Sequence, residues 1–147
     1  MILISHRGNL SGPNPLRENT ANYIDEAIKK GFDVEIDIWE NEGDFFLGHD
    51  EPQHKIGMDW LLKRKNKLWV HCKNSSAIVK LIRTELHIFW HEEDKLTITS
   101  KKFIWVYPGC QPVANSIAVL PEIHNDIVDV ASGVCSDYIY NYKHERI

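Results

Sequence analysis

The sequence lacks a long apolar run, and this argues against a helical membrane protein. None of the apolar runs in the 147 residues reaches the roughly 18 residues that a membrane-spanning helix needs. The apolar opening Met1-Ile2-Leu3-Ile4-Ser5 is too short for a signal peptide and has no basic flank, so it is interpreted as a buried strand. We therefore expect no transmembrane segment and a cytoplasmic location.

Cysteine and positive charge are also scarce. The three cysteines show no pairing pattern, and their odd number predicts free thiols in a reducing compartment. A cysteine nucleophile beside one of the eight histidines stays open as an alternative. The formal net charge of −4 argues against a nucleic-acid surface, because such surfaces usually carry a basic excess. The one basic cluster, residues 63–67, is interpreted as the solvated end of a helix.

The sequence does contain a core and a regular alternation of elements. Hydrophobic residues make up 43% and charged residues 26%, as in globular proteins, and the length predicts one domain over residues 1–147. Apolar patterning predicts strands at residues 2–5, 32–39, 45–47, 68–72, 87–90, 103–107, 116–120 and 133–135. It predicts helices at residues 21–30, 59–65 and 75–84, with Ser75 or Ser76 as the N-terminal cap of the last.

Strands that alternate with helices predict βαβ units and a parallel sheet. The predicted fold class is α/β, a compact, reduced (β/α) TIM-type barrel with parallel strands and some outer helices missing or short. The chain is shorter than the roughly 250 residues of such barrels, and the segment between Tyr107 and Ser116 leaves no room for a crossover helix. We expect loops to replace some helices, and a homo-oligomer in which a second subunit covers the bare outside.

Polar residues lie at or just after the carboxyl ends of the first three predicted strands. They are His6-Arg7, then Glu35 and Asp37, then His49-Asp50. In a parallel barrel the carboxyl ends of the strands surround the active site, so these features are expected to meet. Arginine binds phosphate bidentately, and histidine titrates in the range where proton transfer is useful.

The two carboxylates predict a divalent metal ion. Glu35 and Asp37 are two apart, so a strand places both side chains on one face, where they repel unless a cation or proton lies between them. Mg²⁺ or Ca²⁺ prefers such oxygen ligands. The alternative is a solvated acidic face on a half-exposed strand, which Asp33 would extend.

The ordered motifs resemble a known family. His6-Arg7-Gly8, Glu18-Asn19-Thr20, Glu35-Ile36-Asp37 and His49-Asp50 are similar to the glycerophosphodiester phosphodiesterases, a family of the phospholipase C-like phosphodiesterase barrels. The resemblance covers the chain up to Asp50, and Gly133-Val134-Cys135-Ser136-Asp137 is similar to the closing strand of such barrels.

The resemblance implies roles for the matching residues. His6 and His49 match the two histidines used as general base and general acid, and Arg7 matches the phosphate-binding arginine. Glu18 matches a polar residue that supports the site near the substrate. In this family a neighbouring substrate hydroxyl can attack phosphorus, and the resulting cyclic phosphate is hydrolysed or released.

The resemblance also implies that Glu35 and Asp37 ligate the metal, but the third long strand departs from the family pattern. The family usually has a carboxylate two residues before a lysine there, whereas this chain has His71 before Lys73. Lys73 is expected to bind phosphate. Either His71 ligates a softer ion such as Mn²⁺ or Zn²⁺, or Glu122 supplies the missing carboxylate. A third alternative is an impaired metal site.

These features together predict an enzyme. The expected activity is metal-dependent cleavage of small glycerophosphodiester-type substrates, with acid/base catalysis by histidine and phosphate stabilisation by metal and arginine. The alternative from another class is a catalytically weakened module that binds phosphate headgroups. A third reading is an unrelated sugar or nucleotide phosphate enzyme on a similar barrel, because fold does not fix function.

Overall fold

The computed structural model of the protein describes residues 1–143. Its strands are β1 (Ile2–His6), β2 (Asp33–Asn41), β3 (Asp44–Leu47), β4 (His54–Ile56), β5 (Leu68–Cys72), β6 (Ile88–Phe89), β7 (Leu96–Ile98), β8 (Ile104–Val106), β9 (Ser116–Val119) and β10 (Gly133–Ser136). Its α-helices are α1 (Ala21–Lys29), α2 (Met58–Lys63) and α3 (Ser75–Leu81). Short 3₁₀ helices cover Pro121–Ile123 and Ile139–Tyr142.

Every predicted helix and strand is confirmed, with ends that shift by a few residues. The cap predicted for α3 is wrong, because Asn74 is the cap and its side chain accepts a hydrogen bond from the backbone N–H of Ala77. Two strands, β4 and β7, are not predicted. Both are three residues long and mostly exposed, too short for alternation of apolar and polar residues to indicate a strand.

All ten strands belong to one mixed sheet. The parallel part has the order β6-β5-β2-β1-β10-β9-β8, and it places β1 and β2 near its middle. The strands β3 and β4 add antiparallel pairs next to the far end of β2, and β7 pairs antiparallel with β8. The sheet curls into a half-barrel.

The prediction of a parallel, reduced (β/α) TIM-type barrel is therefore wrong. The sheet is mixed, only about 20% of the chain is helical, and no strand pairing within residues 1–143 joins β6 to β7 or β8. Connection length explains the antiparallel pairs. Glu42 and Gly43 both have positive φ (51° and 91°), which is the two-residue turn that joins antiparallel strands. A connection this short cannot cross over to a parallel neighbour.

Two apolar layers fix the curled sheet. On the outer face of β2, the fully buried Ile36 lies in a cluster under helices α1 and α3. On the inner face, below the polar residues, Trp69 and Phe89 pack against Trp105 with ring centroids 5.8 and 4.6 Å apart. These rings hold β5 and β6 close to β8, although the strands are not paired there.

In residues 1–143, none of the helices has the length and apolar character required to cross a bilayer.

All three cysteines are free, as predicted. Burial raises the pKa of the Cys72 thiol to about 12 and that of Cys135 well above its usual value. A buried thiol with a raised pKa is a poor nucleophile, which argues against a cysteine enzyme at these two positions.

Candidate active site and metal centre

Strand register brings the predicted polar residues to one level of the inner face. His6, the last residue of β1, lies beside Glu35 of β2, and Asp37 lies beside His71 of β5. Residues at paired positions of neighbouring strands project from the same face. Glu35 and Asp37 lie in the middle of β2 rather than at its end, because β2 continues past the site to pair with β3.

Glu35, Asp37 and His71 form a group that can hold a metal ion. One ligand atom from each lies within 4.8 Å of the others, and no other such group of three occurs in the part of the chain that the structure describes. Both carboxylates are buried, with side chains 3% and 0% exposed. Neither Oε2 of Glu35 nor Oδ1 of Asp37 accepts a hydrogen bond from the described residues. A buried carboxylate oxygen without a donor is costly, and a cation in the group would remove that cost.

The orientation of the His71 ring fits the same group. Its Nε2 lies 2.8 Å from the carbonyl oxygen of His91, which can only accept a hydrogen bond. A neutral ring therefore carries its proton on Nε2 and its lone pair on Nδ1. Nδ1 lies 3.2 Å from Oδ1 of Asp37 and 3.9 Å from Oε1 of Glu35. A lone pair beside carboxylate oxygens is repulsive unless a cation lies between them or the ring is protonated.

Two basic side chains border the group. Nε of Arg7 lies 3.0 Å from Oδ2 of Asp37, and Nζ of Lys73 lies 3.8 Å from Oδ1 of the same carboxylate. Nη1 of Arg7 also lies 3.5 Å from Oε2 of Glu18. Arg7 has a φ of 56°, a left-handed conformation that few bulky residues adopt. The hydrogen bond from its N–H to the carbonyl oxygen of Glu35, 3.0 Å long, helps to hold it there.

The two carboxylates differ in protonation because their neighbours differ. Burial, together with the charge of Asp37, raises the pKa of Glu35. Burial also acts to raise the pKa of Asp37, but contact with His71 and the charges of Arg7 and Lys73 outweigh it, so the pKa of Asp37 lies below its usual value. The site without a metal ion thus holds one firmly ionised carboxylate and a second that resists ionisation.

Two asparagines support the site, and the sequence analysis did not assign them to it. Asn19 donates to Oδ2 of Asp37 over 2.9 Å and accepts from the N–H of that residue over 3.0 Å. Asn9 donates to Oε1 of Glu18 and to Oδ1 of Asp137, both over 2.8 Å. An asparagine before a predicted helix indicates a helix cap, so the residue type alone gave no sign of this role. The match of Asn19 to the family motif was the available signal.

His6 is oriented by Asp137, which follows the last strand. Its Nδ1 lies 2.7 Å from Oδ1 of Asp137, which leaves Nε2 on the side of Glu35, 3.8 Å from Oε2. Burial lowers the pKa of His6, but the hydrogen bond to Asp137 and the charge of Glu35 outweigh it, so the pKa is raised. A histidine is positioned for proton transfer when a carboxylate holds one ring nitrogen and leaves the other free, as Asp137 does here.

His49 reaches the same cavity from the segment after β3. The N–H of Gly48 donates to the carbonyl oxygen of Asp37, and the indole of Trp39 donates to the carbonyl oxygen of Gly48, so the preceding backbone is fixed. Nδ1 of His49 lies 2.7 Å from Asp50, which leaves Nε2 available. The ring is 43% exposed, and burial and the charge of Arg7 lower its pKa.

Glu122 does not join the metal group. Its Oε1 accepts hydrogen bonds from the hydroxyl of Ser136 and the N–H of Asp137, over 2.9 and 3.2 Å. It therefore supports the end of β10, next to the residue that orients His6. Of the two alternatives for the third ligand, the geometry favours His71.

A cavity of about 380 Å³ opens above these residues. One wall is polar and contains six of the predicted residues: His6, Arg7, Glu35, His49, His71 and Lys73. The other wall comes from the second half of the chain and is largely apolar, with two polar residues, His91 and Glu92. Its other members are Trp90, Trp105, Tyr107, Pro108, Val119, Leu120 and Ile123. The volume suits a small ligand, and the two walls suit a ligand with one anionic and one apolar part.

No family model, no curated protein and no solved structure matches the chain. The resemblance to the glycerophosphodiester phosphodiesterases consequently rests on the motif residues alone, and what it implies for function stays a proposal.

Proposed function

We propose that this protein is a metal-dependent phosphodiesterase that cleaves small diesters of the glycerophosphodiester kind. One observation carries the proposal. Two buried carboxylate oxygens, Oε2 of Glu35 and Oδ1 of Asp37, accept no hydrogen bond from the described residues, and the second lies 3.2 Å from Nδ1 of His71. Arg7, Lys73 and the proton carriers His6 and His49 line the same cavity. Metal, phosphate and proton-transfer groups are thus available within one small volume.

Glu35, Asp37 and His71 would hold the ion. A divalent cation would be a suitable partner for the two carboxylate oxygens that accept no hydrogen bond from the described residues. Nδ1 of His71, whose ring is fixed by the contact of Nε2 with His91, would be its third ligand. When bound, such an ion supplies charge that polarises a phosphoryl oxygen and stabilises negative charge that develops during cleavage.

Arg7 and Lys73 would bind the phosphate. Both line the cavity, and both already lie near Asp37, so a bound phosphate would meet two fixed positive charges. Fixed charges around a reacting group need no reorganisation during the reaction, which is why they stabilise its transition state effectively.

His6 and His49 would move the protons. Each ring has its Nδ1 near a carboxylate, Asp137 or Asp50, and therefore keeps Nε2 free for substrate. One ring takes the proton from the attacking hydroxyl, and the other gives a proton to the leaving oxygen. Simple phosphate binding would need the two cations but not two proton carriers.

A second candidate function also has a specific observation in its favour. Asp37 lies within 3.8 Å of Arg7, His71 and Lys73, so its charge is balanced without a metal ion. A site with that balance suits a module that binds phosphate headgroups without turnover. With either function, the three free thiols support a location in a reducing compartment such as the cytoplasm.

Hydrolysis of glycerophosphocholine and of an aryl phosphodiester distinguishes the two functions. We expect turnover with an added divalent metal, no turnover with chelator, and a loss of about 100-fold or more in His6→Ala. His54→Ala, which changes an exposed histidine of β4 that is not among the cavity residues, is the matched control and should retain full activity. Binding of phosphodiesters without turnover in any metal would support the headgroup-binding module instead.

A further inference from the structure

His71 is the residue that distinguishes this metal group from an all-carboxylate one. It lies on β5 directly beside Asp37, so its distance from the carboxylates is set by the spacing of paired strands. An imidazole there supplies one nitrogen donor to the ion, and only two of the three protein groups are carboxylates.

The ring is held in the orientation that a metal ligand requires. The carbonyl oxygen of His91 accepts from Nε2, and the ring stacks on Phe89 with centroids 5.0 Å apart and planes 12° apart. Histidines that ligate metals usually donate their second ring nitrogen to a carbonyl or carboxylate, which fixes the tautomer. The side chain is only 14% exposed, so little freedom remains for Nδ1 to turn away.

The donor set and its surroundings disfavour hard ions. Mg²⁺ and Ca²⁺ are bound by oxygen, and their affinity rises with the number of ligand charges. Here a neutral imidazole replaces one carboxylate, and Arg7 and Lys73 offset part of the remaining negative charge. Imidazole nitrogen instead raises affinity for divalent d-block ions, and three protein ligands with open positions are typical of a catalytic site for such ions.

We propose that the Glu35–Asp37–His71 group selects a divalent d-block ion of the Mn²⁺-to-Zn²⁺ series over Mg²⁺ and Ca²⁺, and that His71 Nδ1 is the selecting atom. This inference rests on the metal group of the proposed function, but it concerns binding and does not require turnover.

The first test measures binding of Mn²⁺, Zn²⁺, Mg²⁺ and Ca²⁺ by calorimetry to the chelator-treated full chain. We expect one site that binds Mn²⁺ and Zn²⁺ at least about 100-fold more tightly than Mg²⁺ or Ca²⁺. The variant His71→Glu should bind Mg²⁺ more tightly and reduce the Mn²⁺-to-Mg²⁺ ratio at least about tenfold. His54→Glu adds the same charge on β4 outside the cavity lining and should leave the ratio unchanged.

A second test uses the wild-type protein, so it does not depend on the folding of a variant. In ¹⁵N spectra of the histidine rings, Zn²⁺ should shift Nδ1 of His71 while its Nε2 keeps its proton. A Zn²⁺ site that leaves Nδ1 of His71 unshifted overturns the inference, as does equal affinity for Mn²⁺ and Mg²⁺. Selective binding without any phosphodiester turnover would uphold the inference and contradict the proposed function, whereas turnover with unselective binding would do the reverse.

Discussion

The two halves of the chain contribute differently to one cavity. The first half, up to Leu81, contains all three α-helices, the longest strand and every residue of the metal group. The second half has strands of two to four residues and no α-helix up to residue 143, and it supplies most of the apolar wall. A helix-covered half thus positions most of the charged groups, while a half made mostly of loops and short strands supplies the apolar residues around them.

The largest expected effect concerns stability. Ile36→Ala on the outer face of β2 should lower the free energy of unfolding by about 2–5 kcal/mol, because Ile36 is fully buried under α1 and α3. The same change at Ile98, which is 68% exposed on β7 of the second half, should stay within about 0.5 kcal/mol. Denaturant unfolding measures both. Equal losses at the two positions would contradict a difference between the two halves in the stability that their apolar residues provide.

The next effect concerns the backbone that carries Arg7. Gly8 has a φ of +96°, and a Cβ there would lie 2.7 Å from Cδ1 of Tyr23. Gly8→Ala should therefore cost about 2–4 kcal/mol, the sum of left-handed strain and overpacking. Gly43 has a similar φ of +91° and open space around it, so Gly43→Ala should cost only about 1 kcal/mol. If unfolding measurements give the same loss for both, close packing behind Arg7 is not what requires Gly8.

Asp137 is a charged residue of the second half that contacts a candidate site residue of the first half, His6. Asp137→Asn removes the charge that raises the pKa of His6, so that pKa should fall, and NMR titration of the ring measures it. Activity should fall roughly 10- to 100-fold, as expected for a charge-assisted hydrogen bond of about 1.5–3 kcal/mol. Asp50→Asn, at the partner of the half-exposed His49, should lower activity less. A pKa of His6 that is unchanged in Asp137→Asn would contradict the assigned orientation.

The smallest effect tests the apolar wall. Ile123 lines the cavity and is 58% exposed, whereas Ile127 is 59% exposed and is not among the lining residues. Ile123→Ser should raise the KM for an aryl phosphodiester about fourfold, equivalent to roughly 0.8 kcal/mol of apolar contact. Ile127→Ser should leave KM unchanged. Equal KM values for all three proteins would remove the apolar wall from substrate binding.

The same contrast explains which features the sequence predicts. β2 and β5 are long or strongly apolar, and α1 shows a clear helical pattern, so periodicity is sufficient to place them. β4 and β7 have three residues each, too few for a periodic pattern, so they were missed, and with them part of the antiparallel pairing. Their antiparallel pairing depends on connection length, which the parallel prediction weighed only for the segment after Tyr107.

The candidate site was more predictable at its centre than at its edge. His6, Arg7 and Glu35 were found because residue type and strand spacing carry the signal locally. The roles of Asn19 and Asp137 depend on contacts with residues 18 and 131 positions away, which no local pattern encodes. The choice between His71 and Glu122 likewise required the register between β2 and β5.

The continuation of β2 past the site determines how firmly Glu35 and Asp37 are held. Because β2 is paired with β1 and β5 around Glu35 and Asp37 and with β3 beyond them, its amides there lie in the interior of the sheet. Hydrogen exchange at such amides proceeds through global unfolding rather than local fluctuation. The two carboxylates are therefore expected to keep their spacing until the sheet itself unfolds.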